Sequence, residues 1–274
     1  MTGTSSRNTK SGSDPELRGD YSNAAPDYSV QQEWERYTSE EHALYRRLFE
    51  RQSKLVPRYA CPEWIEAIAG LDAAREIPRF DVISRKLRNR TGWEIVGVPG
   101  MIPDDAFFTH LANRRFPVTV WLRKPEEFDY IVEPDVFHDF FGHVPLLFDP
   151  TYADHLHEYG KGGRKAMRLD AVKMLARLYW YTIEFGLMNT PQGVRAYGAG
   201  LISSGGELRY CVDDPTPQRL PFDLERVMRT GYVIDRYQER YFVIDSFEHL
   251  MRETAPDFTP IYARLRTMGP EPGL

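Results

Sequence analysis

The segment EPDVFHDFFGHVPLL (residues 133–147) places two histidines, His138 and His143, among phenylalanine, valine and leucine residues. A polar side chain among apolar groups costs free energy unless a partner such as a metal ion satisfies it. A separation of five residues puts both rings on different faces of an α-helix, unlike the four-residue spacing of the HExxH zinc signature. Gly142 and Pro145 favour a helix that ends near His143 and lets this ring turn back toward His138.

A carboxylate that could complete a metal site, Glu184, lies in the stretch from Leu178 to Asn189, which contains no other charged residue. A buried, unpaired carboxylate is costly or takes up a proton, and a divalent cation removes that cost. Two histidines and one carboxylate form the facial triad of mononuclear non-haem iron, with three positions left open, but they also suit a catalytic zinc. The alternative without a metal is a solvent-facing Glu184 and two core histidines that donate to backbone carbonyls.

The remaining histidines and the two cysteines give no second site. Cys61 and Cys211 lie far apart and outside any CxxC pattern, so we interpret them as buried small hydrophobes in a reducing cytoplasm, with no disulfide. The other histidines lie near charges or on amphipathic segments, which is typical of surface or hydrogen-bonded side chains: His42, His110, His155, His157 and His249.

The elements around these residues predict an α+β fold that is predominantly helical, with short strand pairs. There is no regular βαβ alternation, which disfavours a Rossmann fold or a TIM barrel, and no GxGxxG or Walker A pattern. Helical periodicity and end signals favour helices over 38–55, 62–71, 80–92, 103–116, 170–189, 221–232 and 246–254, with Pro103 as a first helical residue and 170–189 as the longest helix. Strand patterns cover 93–100, 116–123 and 240–246, with short strands in the glycine-rich stretch 197–213.

Composition limits the class of protein. Residues 1–30 are polar and predict a disordered tail before a single catalytic domain over 31–274. The net charge of −5 and the lack of a long basic run disfavour nucleic acid or an anionic membrane as a partner. No apolar run approaches the ~20 residues of a membrane span, and the polar N-terminus lacks a signal-peptide core.

Three segments together resemble one known family. EPDVFHDFFGHVPLL (133–147), ARLYWYTIEFGL (176–187) and YGAGLISSGGELRYC (197–211) resemble the pterin-dependent aromatic amino acid hydroxylases, which are iron monooxygenases. In order and spacing they are most similar to the short bacterial phenylalanine 4-hydroxylases. The resemblance covers roughly residues 35–260, and it implies the catalytic-domain fold of that family.

The resemblance implies a role for each matching residue. His138, His143 and Glu184 match the ligands of a single Fe(II). The pterin would meet backbone groups of Gly100, Met101 and Ile102 and stack on Phe107, with Tyr179 on the metal side of its helix. Asp139 would lie near the pterin, as the shorter of the two acids that the family uses there. For the substrate, Arg123 would receive the carboxylate, Asp135 would orient Arg123, and the amino acid pocket would be formed by Trp180, Phe185, Gly200 and Ser203.

The function implied by the resemblance is hydroxylation of L-phenylalanine to L-tyrosine with O₂ and a tetrahydropterin, tetrahydrobiopterin or a related pterin. Hydroxylation of tryptophan or tyrosine by the same family is an alternative. A zinc hydrolase with Asp139 as general base, or a non-catalytic domain with a structural metal, explains the ligands but not the pterin-like segment or Arg123. About 35 polar residues precede the matched region and no heptad helix follows it, so we expect a monomer without a separate allosteric amino acid site.

Overall fold

The computed structural model describes residues 18–269 and residue 271 of the chain. Its described part is predominantly helical with short strand pairs, so the predicted α+β class is confirmed. The α-helices are α1 (Ser39–Ser53), α2 (Val56–Tyr59), α3 (Pro62–Ala69), α4 (Phe80–Arg90), α5 (Asp104–Ala112), α6 (Pro150–Arg168), α7 (Val172–Tyr179), α8 (Ala199–Ser203), α9 (Glu207–Asp213), α10 (Leu224–Arg229), α11 (Phe247–Thr254) and α12 (Thr259–Met268). The strands are β1 (Glu94–Val98), β2 (Arg115–Thr119), β3 (Leu187–Thr190), β4 (Gly193–Ala196), β5 (Gln218–Pro221) and β6 (Arg240–Ile244).

The strands form two small sheets. β1 and β2 pair in parallel from Glu94 opposite Arg115 to Val98 opposite Thr119, with α5 as their crossover. The second sheet has the order β4-β3-β6-β5, in which β3 and β4 form an antiparallel hairpin and the other pairs are parallel. The predicted short strand pairs are therefore present, and helices cover them.

Local signals account for the helices that the sequence predicts well. At the start of α1, the Thr38 side chain accepts from the Glu41 backbone N–H while the Glu41 carboxylate accepts from the Thr38 backbone N–H, which completes a capping box. α4 ends just before Gly92, which adopts a positive φ of 78°. α5 begins one residue later than predicted, because Pro103 has extended backbone angles and serves as the N-cap.

Two predicted elements differ in kind from the structure, and one helix, α6, was not predicted. The longest helix is α6 with 19 residues, not the predicted 170–189, and the three glycines in its GKGG segment hid it from sequence analysis. Its N-cap Asp149 accepts a hydrogen bond from the Tyr152 backbone N–H at 2.8 Å. The stretch 170–189 divides into α7, a π-helix and β3. The stretch 197–213 forms α8 and α9 instead of short strands.

An aromatic core supports the segment that carries the histidine pair. Phe137 and Phe141 stack on each other with ring centroids 4.9 Å apart, and both are fully buried. Phe141 also contacts Trp64 of α3 at 4.9 Å and Phe49 of α1 at 5.2 Å. Rings of this size bury large apolar areas, so the packing fixes this segment against α1 and α3. Cys61 and Cys211 are buried and unpaired, as predicted.

The described part of the predicted tail, residues 18–30, contacts the domain. Val30 bridges to Gly97 of β1, the Tyr21 hydroxyl donates to the Met101 carbonyl at 2.8 Å, and Arg18 pairs with Glu127. Residues 1–17, residue 270 and residues 272–274 lie outside the described residues. The division of the chain at residue 30 stays a prediction.

His155 of α6 predicts a specific dependence of stability on pH. Its ring is buried, and Nδ1 donates to the Thr254 hydroxyl oxygen at 3.0 Å, because that hydroxyl itself donates to the Leu250 carbonyl. Burial lowers the pKa of His155 to about 4. Between pH 6.5 and 4 the His155 ring is mostly protonated in the unfolded chain but mostly neutral in the folded chain. Folding stability therefore falls as pH falls.

We expect His155 to contribute a loss of about 1.4 kcal/mol in unfolding free energy per pH unit in this window, and roughly 3 kcal/mol in total. Urea unfolding of the wild type and His155→Gln at several pH values between 7.5 and 4.5 measures it. The stability difference between the two proteins should narrow or reverse as pH falls. A difference that stays constant across this range contradicts the prediction.

Candidate metal centre and its surroundings

His138 and His143 are the first and last residues of a π-helix, which we call π1 (His138–His143). Hydrogen bonds in a π-helix join residues five apart, so a pair spaced i, i+5 lies on one side of it. The two ring centroids are 5.3 Å apart and the rings are nearly perpendicular, at 79°. The predicted end of the helix at His143 is confirmed, since a 3₁₀ helix (Val144–Phe148) follows. The prediction that the His143 ring turns back at a helix end is wrong in its cause, because the wide turn of π1 itself brings the two rings together.

Glu184 is also the last residue of a π-helix, which we call π2 (Trp180–Glu184) and which continues α7. The Phe185 backbone N–H donates to the Trp180 carbonyl at 2.8 Å, five residues back. Glu184 Oε1 lies 3.1 Å from Nε2 of His143, and Oε2 lies 3.6 Å from Nε2 of His138. Both ligand-bearing segments therefore depart from α-helical geometry at the site, as π-helical turns often do at functional positions.

The donor set fits a divalent transition metal. One ligand atom from each of the three side chains lies within 4.8 Å of the other two, and His143 is 3% exposed. His138 uses Nδ1 in a 2.9 Å hydrogen bond with the Ser203 hydroxyl, which leaves Nε2 for a metal. Two imidazoles and one carboxylate leave half of an octahedral shell open, which suits catalysis better than a structural role.

The protonation states favour metal binding. Burial lowers the pKa of His138, so its ring is neutral near pH 7. Burial alone would raise the pKa of Glu184, but His143 and His138 outweigh it and hold that pKa below its ordinary value. A neutral His138 ring and an ionised Glu184 carboxylate are the forms that bind a cation.

Asp139 connects the metal site to the first sheet. It is buried, and its Oδ2 accepts a hydrogen bond from the Thr119 backbone N–H at 2.7 Å, at the end of β2. Burial raises the pKa of Asp139, against the opposing effect of the two histidines. Thr119 is paired with Val98 of β1, so the segment after Val98 leaves the sheet at the edge where Asp139 lies.

The proposed pterin residues lie around this edge. Gly100 is bordered by Glu133 and the Tyr21 hydroxyl, Met101 is 54% exposed, and Ile102 is half-buried. Phe107 of α5 contacts Tyr179 edge to face at 5.6 Å, and Tyr179 in turn lies 6.3 Å from the His143 ring. Phe107 and Tyr179 are thus joined to the metal ligands by ring contacts.

Arg123 and Asp135 form a buried, bidentate ion pair. Nε and Nη2 of Arg123 each donate to a carboxylate oxygen of Asp135 at 2.8 Å, and the Arg123 backbone N–H donates to the same carboxylate at 2.9 Å. Arg123 is 4% exposed and Asp135 is 0% exposed. Asp135 also accepts from the His138 backbone N–H at 2.9 Å, so one carboxylate fixes both the guanidinium and the start of π1. Nη1 of Arg123 takes no part in the pair.

The predicted pocket residues are brought together beside Glu184. The Trp180 and Phe185 rings lie 4.6 Å apart. A Cβ atom on Gly200 would lie 2.9 Å from the Phe185 ring, so only glycine lets α8 approach so closely. Gly142 of π1 is equally constrained, since a Cβ there would lie 2.8 Å from the Ala199 side chain. Ser203, at the end of α8, reaches His138.

Sequence analysis did not find a buried network that holds Trp180. Nε1 of Trp180 donates to the Gln238 side-chain oxygen at 3.1 Å, and the Gln238 side-chain nitrogen donates to the Val233 carbonyl at 2.7 Å. Glu207 accepts from the Gln238 backbone N–H at 2.9 Å and from the Tyr241 hydroxyl at 2.7 Å. Burial raises the pKa of Glu207. Glu207 lies inside a recognised segment, but the partners of Gln238 are 58 and 31 residues distant, so no local signal marked it.

A group of two histidines and one carboxylate, of which His143 is buried and the others are partly buried, lies beside aromatic rings and a fixed guanidinium and defines a mononuclear metal enzyme of the facial-triad class. The chain belongs to the family described as biopterin-dependent aromatic amino acid hydroxylases, whose model matches residues 15–263. The family is confirmed, and with it the tetrahydropterin and iron of the predicted cofactor set.

Individual relatives agree with this assignment. The chain is 56% identical to a phenylalanine-4-hydroxylase of Chromobacterium violaceum over 91% of its own length and 84% of the relative's. It is 53% identical to a protein of the same name from Ralstonia nicotianae, over 89% of this chain and 78% of that one. A crystal structure of the C. violaceum protein with iron and phenylalanine bound superposes with a TM-score of 0.86 at 55% identity, covering 90% of each chain.

Gln238 yields a prediction about stability. Replacing it by leucine keeps the approximate size of the side chain but leaves the Trp180 N–H and the Val233 carbonyl without their partner. Unpaired buried polar groups cost about 1–3 kcal/mol each, so Gln238→Leu should lower the unfolding free energy by roughly 1–3 kcal/mol or more.

Urea unfolding followed by tryptophan fluorescence measures this loss. Gln192→Leu is the matched control, because Gln192 is exposed and its side chain forms no hydrogen bond among the described residues. Equal stabilities for the two variants would refute the role of Gln238.

Proposed function

We propose that this chain is a tetrahydropterin-dependent phenylalanine 4-monooxygenase, which hydroxylates L-phenylalanine to L-tyrosine with O₂ at a mononuclear Fe(II). The observation that carries the proposal is the triad of ligand atoms within 4.8 Å of one another, beside an aromatic pocket and a buried guanidinium. The relatives named phenylalanine-4-hydroxylase support the choice of substrate.

His138, His143 and Glu184 would hold the iron through two Nε2 atoms and the carboxylate. When bound, iron and the reduced pterin together supply the activation of O₂ and the transfer of one oxygen atom to the aromatic ring. The protein itself contributes a dry and rigid site. Phe116 lies 4.9 Å from the His143 ring, and Phe140 and Phe141 are buried within π1, so apolar groups keep water from the ligands.

Arg123 would receive the carboxylate of the amino acid. Its Nη1 is free of the pair with Asp135, while the other two nitrogens are fixed, so the guanidinium is presented in one orientation. Asp135 orients Arg123 and takes no direct part. Trp180 and Phe185 would flank the substrate ring, with Gly200 and Ser203 at the floor of the pocket.

The pterin would lie along the edge formed by the segment after β1. Gly100, Met101 and Ile102 offer backbone groups there. Phe107 offers a ring on which the pterin would stack, and Tyr179 supports the Phe107 ring through an edge-to-face contact. Asp139 is held by Thr119 at this edge. Its side chain is one methylene shorter than glutamate, so we propose that it reaches the pterin through water.

The zinc hydrolase alternative leaves two features unexplained. The fixed guanidinium of Arg123 has no role in it, and the family model that matches residues 15–263 is that of the biopterin-dependent hydroxylases.

The assay that tests the proposal reconstitutes the protein with Fe(II) under anaerobic conditions and then measures O₂ uptake and tyrosine formation with tetrahydrobiopterin and phenylalanine. Glu184→Gln should bind iron roughly 100-fold more weakly or worse, because even outer-shell substitutions cost 10–100-fold, and should form almost no tyrosine. Glu158→Gln, at an exposed carboxylate, is the matched control and should behave as wild type.

Two results would overturn the proposal. Wild-type iron content and turnover in Glu184→Gln would remove Glu184 from the site. Zinc-supported hydrolysis without tyrosine formation would replace the monooxygenase by a hydrolase. Tyrosine and tryptophan in the same assay decide between the three aromatic substrates.

Arg123→Lys tests the binding of the substrate carboxylate. Lysine keeps the charge but loses the bidentate geometry, so the KM for phenylalanine should rise about 10- to 100-fold, the cost of one or two charge-assisted hydrogen bonds. Phenethylamine lacks the carboxylate, and its KM should be unchanged. Steady-state kinetics with both compounds measures the contrast, and a parallel rise in both KM values contradicts the assigned role.

We propose that the enzyme acts as a monomer in the cytoplasm, both of which are predictions from the sequence. Size-exclusion chromatography with light scattering tests the first, and a stable tetramer would refute it. No helix in the described part of the chain combines the length and apolar character that a membrane crossing needs.

A further inference from the structure

A cavity of about 290 Å³, lined mainly by cations, lies outside the proposed active site. Arg47, Arg51 and Lys54 come from α1 and its end, and Arg209 comes from α9. We call this the basic cavity. Glu50 is the one carboxylate in its lining, so the lining residues carry a net charge of +3, although the whole chain carries a net charge of −5. This local positive charge is opposite in sign to the net charge of the whole chain.

The cations of the basic cavity are poorly neutralised. Within residues 18–269, no carboxylate oxygen lies within 4.0 Å of the charged groups of Arg47, Lys54 or Arg209. Arg51 pairs with Asp129 at 3.3 Å, but the Asp129 side chain is 92% exposed, and such a contact contributes little. Glu50 is exposed and forms no ion pair with these cations in the described structure.

Arg51 is held in place at the inner wall of the cavity. Its side chain is 16% exposed, Nη1 donates to the Phe128 carbonyl at 2.8 Å, and Nε donates to the Gln52 side chain at 2.9 Å. The guanidinium carbons of Arg51 and Arg47 lie 4.8 and 5.0 Å from the centroid of the same Phe128 ring. Both guanidinium groups therefore contact one aromatic side chain of the cavity lining.

The electrostatics of Arg51 favour an anion in the basic cavity. Burial first, and then the nearby Arg123 and Arg209, lower the pKa of Arg51, so its positive charge is unfavourable in this setting. An anion in the cavity would offset that cost. Guanidinium groups bind phosphate oxygens in pairs, with good geometry and strong charge-assisted hydrogen bonds.

We propose that the basic cavity binds a phosphate dianion, either inorganic phosphate or the phosphate group of a small ester. The two negative charges of a phosphate dianion match the net positive charge of this lining better than the single charge of a carboxylate does. Water takes about 30 Å³ in the liquid, so the cavity holds on the order of ten water-sized groups. That exceeds one phosphate ion and leaves room for a substituent.

Bound phosphate would act on the substrate pocket through Arg51. Nη2 of Arg51 donates to the Ser203 carbonyl at 3.4 Å, and the Ser203 hydroxyl contacts His138. Nη1 holds Phe128, seven residues before the Asp135 that orients Arg123. An anion that shares the Arg51 donors therefore alters two supports of the pocket. This coupling rests on the proposed function, whereas phosphate binding itself does not.

Isothermal titration of the iron-loaded enzyme with inorganic phosphate tests the binding. The wild type should bind one phosphate per chain, and Lys54→Gln/Arg209→Gln should bind it about tenfold more weakly or worse, since each lost charge removes a charge-assisted contact. Arg164→Gln/Lys173→Gln is the matched control: both residues are exposed, lie on other helices and form no ion pair among the described residues. Chloride at equal ionic strength corrects for screening.

The outcomes are distinct. Equal phosphate affinity in all three proteins, or heats reproduced by chloride, overturns the site. Tighter binding of glycerol 2-phosphate than of inorganic phosphate assigns the site to an ester, and the reverse assigns it to the free ion. A KM for phenylalanine that shifts at least about twofold with phosphate in wild type, but not in Lys54→Gln/Arg209→Gln, supports the coupling. An unchanged KM refutes the coupling alone, and absence of tyrosine in every sample refutes the proposed function instead.

Discussion

The position of the Glu184 carboxylate between two imidazoles is the constraint on which the rest of the site depends. Burial alone would drive this carboxyl group toward its protonated form, and the histidines reverse that tendency. The contact needs residues five apart on one side of a helix and an acid at the end of another helix. An α-helix would place the two histidines on different faces, whereas the π-helical turn of π1 places them on one side, and the segment that ends at Glu184 is π-helical as well. The surrounding packing must then hold two irregular helices in register.

Asp135 connects the segment of the metal ligands to Arg123. One buried carboxylate accepts from the His138 backbone, the Arg123 backbone and the Arg123 side chain. Because these bonds are made in a dry environment, loss of any partner leaves a buried charge or donor unsatisfied. The start of π1 and the guanidinium of Arg123 are therefore fixed relative to each other.

Local and compositional signals account for what the sequence could predict. The capping box at Thr38, the acid inside an apolar helix at Glu184 and the recognised segments led to the helical class and to the three ligands. α6 was missed because its glycines resemble a loop, although Asp149 and its packing partners stabilise a helix there. The π-helical turns and Gln238 depend on contacts between distant segments, which a single sequence does not reveal.

The same buried groups serve both stability and the arrangement of the pocket. Trp180 donates to Gln238 on one side and stacks on Tyr232 on the other, with ring centroids 4.2 Å apart. Tyr232 is 39% exposed, so the stacked pair of rings reaches solvent at Tyr232. On the buried side, Glu207 accepts a hydrogen bond from the Gln238 backbone and holds it in place. Trp180 and Glu184 are the first and last residues of π2, so the contacts of Trp180 with Gln238 and Tyr232 lie at the opposite end of π2 from the triad carboxylate.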